Sequence, residues 1–322
     1  MPGFFGCSLL AKEASSCLGI DPKSALETFQ ILKPKRSPYP LIRIGGAGDG
    51  SYLLPDDLEG INGCLSPGVN NFKHFEDELA LNYAIPSDLI DASSEEEAFS
   101  TPLIGEMQSF QKKWLDISGE NDCISISEWL ASKPSTQHDF LLQMDIEGAE
   151  YRNILATPSK DLGRFRIIIM ELHRLPIGFC RPEVFHAVIK PFLERLDELF
   201  ICVHAHPNNV IGVYTPPAIG VTMPRIIELT FLRRDRFTKG VVGNFSPVSL
   251  PHSLDITNVI GRTPLHLSEE WFTGPRSLSS RMRMSADWID YYKYHKSKGN
   301  LKNLLQAQFA SRSKRLLNQI LH

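Results

Sequence analysis

Residues 140–151 read FLLQMDIEGAEY, an apolar run followed by a helical pattern. The same succession of apolar run and helical pattern recurs along much of the chain. The apolar run predicts a buried strand over 140–146, and the residues after it predict a helix near 149–156. Asp145 and Glu147 stand where the strand ends. A buried strand, a short acidic turn and a helix in this order are typical of a βαβ unit in a parallel sheet.

On both sides of this stretch, apolar β-prone runs alternate with helical patterns. Strongly apolar strands are expected where helices cover both faces of a parallel sheet, because neither face then meets water. The sequence therefore predicts an α/β fold with helices on both faces of one sheet. Further strands are predicted at 61–65, 88–91, 166–172, 199–204 and 226–233, and further helices at 72–83, 125–130 and 181–196.

The N-terminal part of the chain predicts one helix and one hairpin. Asp21 followed by Pro22 is a typical helix start, because aspartate caps a helix and proline fits its first position. The strands 41–44 and 51–54 flank the turn GGAGDG at 45–50, which predicts an N-terminal hairpin. The apolar side of the helix would hold Ala25, Leu26, Phe29 and Leu32.

The composition excludes several classes of protein. The chain has 322 residues, of which 42% are hydrophobic and 22% are charged, and its formal net charge is -3. These values are typical of a globular protein and argue against a disordered chain or a disulfide scaffold. A dedicated nucleic-acid binder would be strongly basic, so we expect no nucleic-acid partner.

Charge and pattern divide the chain into three segments. Residues 276–322 contain ten Lys and Arg residues but two Asp, so this end is far more basic than the rest. We expect an N-terminal helical segment at 1–40, a main domain at 41–272 and a basic helical C-terminal extension at 273–322. An apolar stripe in the extension predicts docking on the chain's own body or on a second copy, and an anionic membrane surface or glycan is the alternative. The stripe is formed by Leu301, Leu304, Leu305, Phe309, Leu316, Leu317, Ile320 and Leu321.

The cysteines and the N-terminus bear on the compartment. Six cysteines are scattered without a CxxC pair, which predicts reduced thiols rather than a zinc cluster or a disulfide framework. The first residues lack the basic start of a signal peptide. No uncharged apolar run reaches the roughly 18 residues of a transmembrane helix. We therefore expect a cytoplasmic protein.

Polar pairs at spacing i, i+2 end three successive predicted strands. This spacing places both members of a pair on one face of the strand. Ligands bind beyond the carboxyl ends of the strands in an open α/β sheet, so the six side chains are expected to line one crevice. Like charges this close need a cation or shared protons. The pairs are Asp145 with Glu147, Glu171 with His173, and His204 with His206.

Each of these residues also has a purely structural interpretation. Glu147 and Glu150 could be first-turn acids that face the positive end of a helix dipole. His173 and His204 could be satisfied core histidines, although an imidazole that titrates near neutrality suits a general base or a ligand. His206 could simply help to shape a turn.

The connection at residues 65–70 predicts a nucleotide-like cofactor. Its sequence, LSPGVN, follows a predicted strand and precedes a predicted helix, with Gly68 in the turn. Asp91 ends the next strand about 20 residues later, where an acid can accept hydrogen bonds from ribose hydroxyls. An ordinary tight turn at Ser66 and Pro67 is the alternative.

Taken together, the chain resembles the FkbM-type methyltransferases, a branch of the S-adenosylmethionine-dependent class I enzymes. The resemblance implies a Rossmann-like class I methyltransferase sheet and methyl transfer to a hydroxyl, commonly on a sugar, polysaccharide or glycosylated product. The resembling stretches are RIGGAGDGSYLLPDDL (43–58), CLSPGVNNFKHFEDELA (64–80), LLQMDIEGAEY (141–151), IIIMELHRL (167–175), VHAHPNN (203–209), IIELTFLRRD (226–235) and LDITN (254–258).

The resemblance also implies which residues hold S-adenosylmethionine. Ser66 and Gly68 would lie beside the methionine part of the cofactor. Asp91 would hold its ribose. Asp145 with Glu147 would lie near the transferred methyl group.

Methyl transfer to an alcohol needs the acceptor oxygen in line with the methyl group and a means of removing its proton. We expect His173 or His204 to be the general base. Asp145 and Glu171, with His204 or Glu147, are the expected ligands of a divalent ion that orients the hydroxyl. Oxygen ligands favour Mg²⁺ or Mn²⁺, and histidine ligands shift the preference towards Mn²⁺, Fe²⁺ or Zn²⁺.

Two other functions fit the same residues. A metal-dependent hydrolase would use the acidic and histidine crevice without a methyl donor. A glycan-binding protein without enzymatic activity would leave the crevice solvated. The loop at Asp49 could form a wall of an acceptor site or be a plain hairpin turn. Trp114 and Trp129 could stack on an adenine or a sugar, or belong to the core.

Overall fold

The structure is a computed structural model of the chain, and it describes residues 19–120, 122–133, 139–237 and 246–300. Its strands are β1 (Leu41–Ile44), β2 (Tyr52–Pro55), β3 (Ile61–Pro67), β4 (Ser87–Ile90), β5 (Gln108–Gln111), β6 (Trp114–Leu115), β7 (Cys123–Ile124), β8 (Asp139–Met144), β9 (Phe165–His173), β10 (Phe200–Pro207), β11 (Val213–Tyr214), β12 (Met223–Pro224) and β13 (Ile226–Arg233). Its helices are α1 (Pro22–Gln30), α2 (His74–Tyr83), α3 (Ile126–Ala131), α4 (Glu150–Ala156), α5 (Ser159–Leu162), α6 (Leu175–Gly178), α7 (Pro182–Val184), α8 (Lys190–Leu199) and α9 (Leu278–Ser297). Each strand predicted in the sequence is present, with ends shifted by a few residues.

Seven strands form one sheet in the order β10-β13-β9-β8-β3-β4-β5. The pairs among β9, β8, β3, β4 and β5 are parallel, as predicted. The chain runs outward from β3 to β5 and then returns to β8 on the other side of β3. The strand order therefore reverses between β3 and β8, which is where ligands bind in open α/β sheets. This mixed α/β sheet is compatible with a Rossmann-like methyltransferase fold.

The sheet differs from the predicted parallel arrangement at β13. This strand lies between β9 and β10 and is antiparallel to both. The connection from β10, residues 208–225, contains the short strands β11 and β12 but no helix to cross the sheet, and the chain returns antiparallel beside β10. Consequently β9 and β10, which are consecutive along the sequence, are not neighbours in the sheet.

Two layers cover the faces of the sheet. On one face, Phe29 of α1, Trp129 of α3 and Phe192 of α8 pack in one core with alternate residues of β9. On the other face, β1 and β2 pair antiparallel and pack with α2 against the remaining residues of β9. The hydroxyl of Thr230 in β13 donates a hydrogen bond of 2.6 Å to the carbonyl of Leu53 in β2 and so ties the hairpin to the sheet.

Two predicted helix starts have the expected caps. The Asp21 carboxylate accepts a hydrogen bond from the backbone N–H of Ser24, and Ser125 with Glu128 forms a complete capping box. The prediction that Leu26 belongs to the core is wrong, because this residue is exposed on the outer side of α1.

The helix predicted from residue 72 begins later, at His74. Asn70 and Asn71 have φ angles of 41° and 64°, and this left-handed backbone cannot continue into a helix. Phe72 is therefore exposed rather than part of the apolar face.

The helix predicted at 181–196 is interrupted by a π-helical turn, Phe185–Ile189, between α7 and α8. Pro191 stands at the second position of α8 and has no N–H to donate to the preceding turn. The hydrogen-bond register widens at this point, as is usual for π-bulges.

The C-terminal helix α9 packs against the segment before it. Asp287 is buried and accepts hydrogen bonds from Arg283 and from His266, and the ring of His295 lies 3.0 Å from the carbonyl of Gly261. The apolar stripe expected between Leu301 and Leu321 lies outside the described residues. Among the helices of the described ranges, none is long and apolar enough to cross a membrane.

Candidate active site

A cavity of about 920 Å³ lies at the carboxyl ends of β3, β4, β8 and β9. This is the point where the strand order reverses, and the volume is in the range of small-molecule sites. The apolar part of its lining includes Ile90, Leu115, Ile177, Val188 and Ile189. The rest of the lining includes Gly68, Asp91, Asp145, Glu147 and His173.

Gly68 allows the turns after β3 and β8 to touch. Its φ angle is 88°, and a Cβ atom on this residue would lie 1.7 Å from the carbonyl oxygen of Asp145. The N–H of Gly68 donates to the carbonyl of Ile90, and the N–H of Asp145 donates to the carbonyl of Pro67. No residue other than glycine fits here without moving the backbone.

Asp91 is held rigidly at the end of β4. One carboxylate oxygen accepts hydrogen bonds from the N–H and hydroxyl of Ser93, and the other accepts one from the N–H of Asn70. Burial raises the pKa of Asp91, but the bonds from Ser93 and Asn70 lower it by more, so the net shift is downward. The oxygen that binds Asn70 keeps capacity for a second donor, such as a ribose hydroxyl.

His173 lies among carboxylates at the deep end of the cavity. Its Nε2 atom is 3.4 Å from Glu171 Oε1, 3.4 Å from Glu147 Oε2 and 4.0 Å from Asp145 Oδ1. The hydroxyl of Tyr151 donates a hydrogen bond of 2.9 Å to the carbonyl of His173, which fixes the end of β9. The structure thus brings together four of the residues predicted for one crevice.

The charges of this group are not balanced. Burial raises the pKa of Asp145 to about 8, with further contributions from Glu150 and Glu147. Burial and the charge of Asp145 raise the pKa of Glu171 well above its usual range. Burial lowers the pKa of His173 despite the charge of Glu147. A cation at this point would relieve the repulsion among the carboxylates.

Backbone strain is concentrated at the same place. Glu147 and Arg174 follow β8 and β9, and both are non-glycine residues with φ angles near 60°, at 57° and 61°. Such left-handed conformations are costly for ordinary residues and recur at binding sites. Glu150 begins α4, is fully buried and accepts a hydrogen bond of 2.8 Å from the N–H of Ile146. Burial raises the pKa of Glu150 to about 7.

Ser66 does not line the cavity. Its side chain is fully buried, and its hydroxyl binds the carboxyl group of Glu76 and, at 2.8 Å, the amide oxygen of Gln143. The amide nitrogen of Gln143 in turn donates to the hydroxyl of Tyr52. Ser66 therefore stabilises the end of β3 through these two buried hydrogen bonds.

The two predicted tryptophans have different surroundings. Trp114 is half-exposed and lines the cavity. Trp129 is fully buried, packs edge-on against Phe140 and donates its indole N–H to Asp88 at 2.7 Å. Trp129 is a core residue.

The model of one protein family matches the middle of the chain. The family is described as Methyltransferase FkbM domain, and the match covers residues 66–200. Residues 66–200 are similar to a methyltransferase FkbM domain. The resemblance to this family in the sequence is thereby confirmed, and the domain supports a methyltransferase function. No curated protein and no solved structure gave a significant match to the chain.

All the cavity-lining residues lie within the FkbM domain, but a second polar group lies outside it. His204 and His206 of β10 lie with Asp255 from a later loop. The metal-ligand set expected from the sequence, Asp145, Glu171 and His204, is therefore divided, because Asp145 and Glu171 are grouped with His173. The reason is β13, which places β10 three strands from β8, a distance of roughly 14 Å.

A row of polar side chains connects the FkbM domain to this second group. Glu228 of β13 is paired with Glu171 on one side and with His206 on the other. Asn208 donates hydrogen bonds to Glu171 and to Asp49, at 3.1 and 3.2 Å.

Glu228 and Asp255 were not identified from the sequence as functional residues. The alternation of Glu228 with apolar neighbours was visible, but its position beside Glu171 depends on the strand order. Asp255 lies in the LDITN stretch, whose resemblance to the family was the sole signal.

Proposed function

We propose that the chain is an S-adenosylmethionine-dependent O-methyltransferase that methylates a hydroxyl group of a sugar, a polysaccharide or a glycosylated product. One observation carries the proposal. The rigid carboxylate of Asp91 and the close turn at Gly68 share one cavity with the uncompensated acidic group around His173. The first two features suit a nucleoside, and the third suits a positively charged sulfonium.

The residues that line the cavity fit the cofactor. Asp91 would accept hydrogen bonds from the ribose, and Gly68 would let the methionine part approach the backbone. Asp145 and Glu147 would face the sulfonium. Ser66 would act indirectly, because its hydroxyl is already bound to Glu76 and Gln143.

When bound, S-adenosylmethionine supplies an electrophilic methyl group. His173 would accept the proton of the acceptor hydroxyl at Nε2, while Tyr151 keeps the end of β9 in place. His173 is favoured over His204 as the base because His173 lines the cavity and His204 lies beside Asp255. The apolar part of the cavity lining would exclude water from the reacting atoms.

A divalent ion is a further component of the proposal. Ligand atoms of Asp145, Glu171 and His173 all lie within 4.8 Å of one another, and the two carboxylates would hold Mg²⁺ or Mn²⁺ while His173 stays free to act as the base. Such an ion would orient and acidify the acceptor hydroxyl. The same set also suits a metal-dependent hydrolase, which is the second candidate function.

The first test is calorimetric titration of the protein with S-adenosylhomocysteine, with and without Mg²⁺ or Mn²⁺. We expect micromolar binding that is lost in Asp91→Ala and kept in Asp56→Ala, an exposed aspartate outside the cavity. A folded protein that binds no S-adenosylhomocysteine under any metal condition would support the hydrolase or a glycan-binding protein instead.

The wider organisation also belongs to the proposal. We place the segment boundaries near residues 40 and 272, with α9 as the start of the basic extension and a second copy of the chain as its partner. Cys64 and Cys202 are buried, reduced thiols, which supports a reducing compartment such as the cytoplasm.

A further inference from the structure

Three potential metal ligands converge outside the cofactor cavity. His204 Nε2 lies 2.9 Å and His206 Nδ1 lies 3.6 Å from the same atom, Asp255 Oδ1. The three residues are 3%, 7% and 2% exposed, so each is more than nine-tenths buried. Two strand residues and one loop residue, separated by about 50 positions in sequence, thus meet at one point.

These three atoms contact one another and make no hydrogen bond to any group outside the trio among the described residues. His204 Nε2, His206 Nδ1 and Asp255 Oδ1 are each buried without a hydrogen-bond partner of normal geometry among the described residues. A buried polar atom without a well-formed hydrogen bond is destabilising, and three in contact are unusual in a stable fold. One ligand bound between them would satisfy all three atoms.

The surrounding residues aim the lone pairs at one position. His206 Nε2 donates a hydrogen bond of 3.2 Å to Asn258 Oδ1, which leaves Nδ1 of the neutral ring without a proton. The orientation of Asn258 is fixed because its amide nitrogen donates to Asp49 and to Glu228. The other oxygen of Asp255 accepts the N–H of His252 at 2.7 Å. Histidine ligands of metals are typically held in this way by a second hydrogen bond.

We propose that His204, His206 and Asp255 bind a divalent transition-metal ion, with Zn²⁺ as the best-fitting ion. Ligand atoms of a tetrahedral zinc site lie about 3.4 Å apart, and the two measured separations bracket that value. Two imidazole nitrogens and one carboxylate prefer Zn²⁺, Fe²⁺ or Mn²⁺ to Mg²⁺ or Ca²⁺.

The charges nearby are compatible with a cation. Arg43 is a positively charged side chain near His206 and could repel a bound cation. Its hydrogen bonds, however, go to the carbonyl of Leu254 and to Ser51. The carboxyl groups of Asp255 and Glu228 face the centre from the loop and from β13.

The site has a defined place in the fold. The ion would fasten the loop that contains Asp255 and Asn258 to the carboxyl end of β10. Through Asn258 and Asp49, that loop is hydrogen-bonded to the row that ends at Glu171. The ion therefore has a structural role that does not depend on the proposed methyl transfer.

The test uses the full chain, stripped with a chelator and titrated with Zn²⁺, Mn²⁺ or Mg²⁺ by calorimetry, with bound metal counted by mass spectrometry. We expect one tightly bound Zn²⁺ per chain and a higher Tm. We expect at least about a 100-fold loss of Zn²⁺ affinity in His206→Gln and in Asp255→Asn. Asn258→Ala, which removes the supporting hydrogen bond, should lose about 10- to 100-fold.

Two controls keep the result specific. His186→Ala removes an exposed histidine, and Asp145→Asn changes the cofactor cavity, so both should keep the Zn²⁺ equivalent. If the variants fold poorly, the visible spectrum of the Co²⁺-loaded unmodified protein reports nitrogen and oxygen coordination directly. Absence of stoichiometric Zn²⁺ binding, or Zn²⁺ binding that survives in both His206→Gln and Asp255→Asn, overturns the proposal. A failure of S-adenosylhomocysteine binding leaves these readouts unaffected.

Discussion

At the scale of single residues, Glu76 is an ionisable group held in an apolar environment beneath the cavity. It is 2% exposed, and the hydroxyl of Ser66 donates a hydrogen bond to its carboxyl group. Burial raises the pKa of Glu76 to about 7, although the bond from Ser66 opposes this rise. The protonated form is therefore favoured in the folded state.

This shift predicts how the stability depends on pH. Below pH 4.5 the group is protonated in the folded and unfolded chains alike. As pH rises from 4.5 to 7, the unfolded chain ionises first, so Glu76 lowers the free energy of unfolding, by an amount on the order of 3 kcal/mol above pH 7. Glu76→Gln should remove this loss and be more stabilising at pH 8 than at pH 5.

Urea unfolding at both pH values measures the effect. Glu27→Gln is the matched control, because Glu27 is an exposed glutamate on α1 and should show no such difference. An equal effect of Glu76→Gln at pH 5 and pH 8 would contradict the assignment.

At the scale of elements, the π-helical turn before α8 forms part of the cavity wall. Gly178 of α6 and Ile189 of the turn both line the cavity, and a Cβ atom on Gly178 would lie 2.2 Å from Cγ1 of Ile189. Isoleucine is stiff at its first side-chain torsion, so it cannot easily move aside. The contact therefore sets how far the turn stands from the sheet.

We predict that Gly178→Ala displaces Ile189 and narrows the cavity. The overpacking should cost about 1–3 kcal/mol of unfolding free energy. The affinity for S-adenosylhomocysteine, measured by calorimetry, should fall by roughly tenfold, or about 1.4 kcal/mol. Gly63→Ala in β3 is the control, because a Cβ atom there meets its neighbours at an ordinary distance of 3.5 Å. Unchanged affinity in Gly178→Ala would show that the π-helical turn does not contribute to the cofactor site.

At the scale of the whole molecule, the two ends of the sheet have opposite electrostatics. The cavity end carries a cluster of carboxylates, whereas at the other end Asp57 and Asp139 both have arginine partners. Arg166 binds Asp139 and lies 3.6 Å from Asp57, and Arg233 binds Asp139. Burial raises the pKa of Asp139, but Arg233 and Arg166 lower it by more. Charge balance stabilises one end, and the proposed binding of a cation would compensate the acids at the other.

This division predicts that stability and binding respond to different substitutions. Arg166→Met removes the hydrogen bonds of this side chain to Asp139 and to the carbonyls of Asp57 and Glu59, while Arg233 still binds Asp139 and Arg236 still binds Asp57. The loss of these buried hydrogen bonds should cost about 1–3 kcal/mol in urea unfolding. The affinity of the surviving folded protein for S-adenosylhomocysteine should not change. Lys112→Met breaks an exposed ion pair with Glu95 and should cost less than about 1 kcal/mol. Similar costs for the two variants would contradict the division.

Much of this architecture could be predicted from local patterns. The apolar runs followed by Asp145 and by Glu171 identified β8, β9 and the acidic end of the cavity, because a buried strand and its terminal acid are neighbours in sequence. The position of β13 was not predictable in this way, because strand order is not encoded in periodicity. The separation of His204 from Asp145 follows from that one insertion. Asp255 joins His204 through a loop contact for which the sequence has no local signal.

The insertion of β13 also constrains how the chain is made. A ribosome releases β9 and β10 before β13, yet among the described strands β13 is the only sheet partner of β10. Until residue 233 has emerged, both β9 and β10 present open, apolar edges to the cell, as incomplete sheets of nascent chains do. Folding of this half of the sheet is therefore completed late in synthesis, and a chaperone that shields strand edges would act during the translation of residues 208–233.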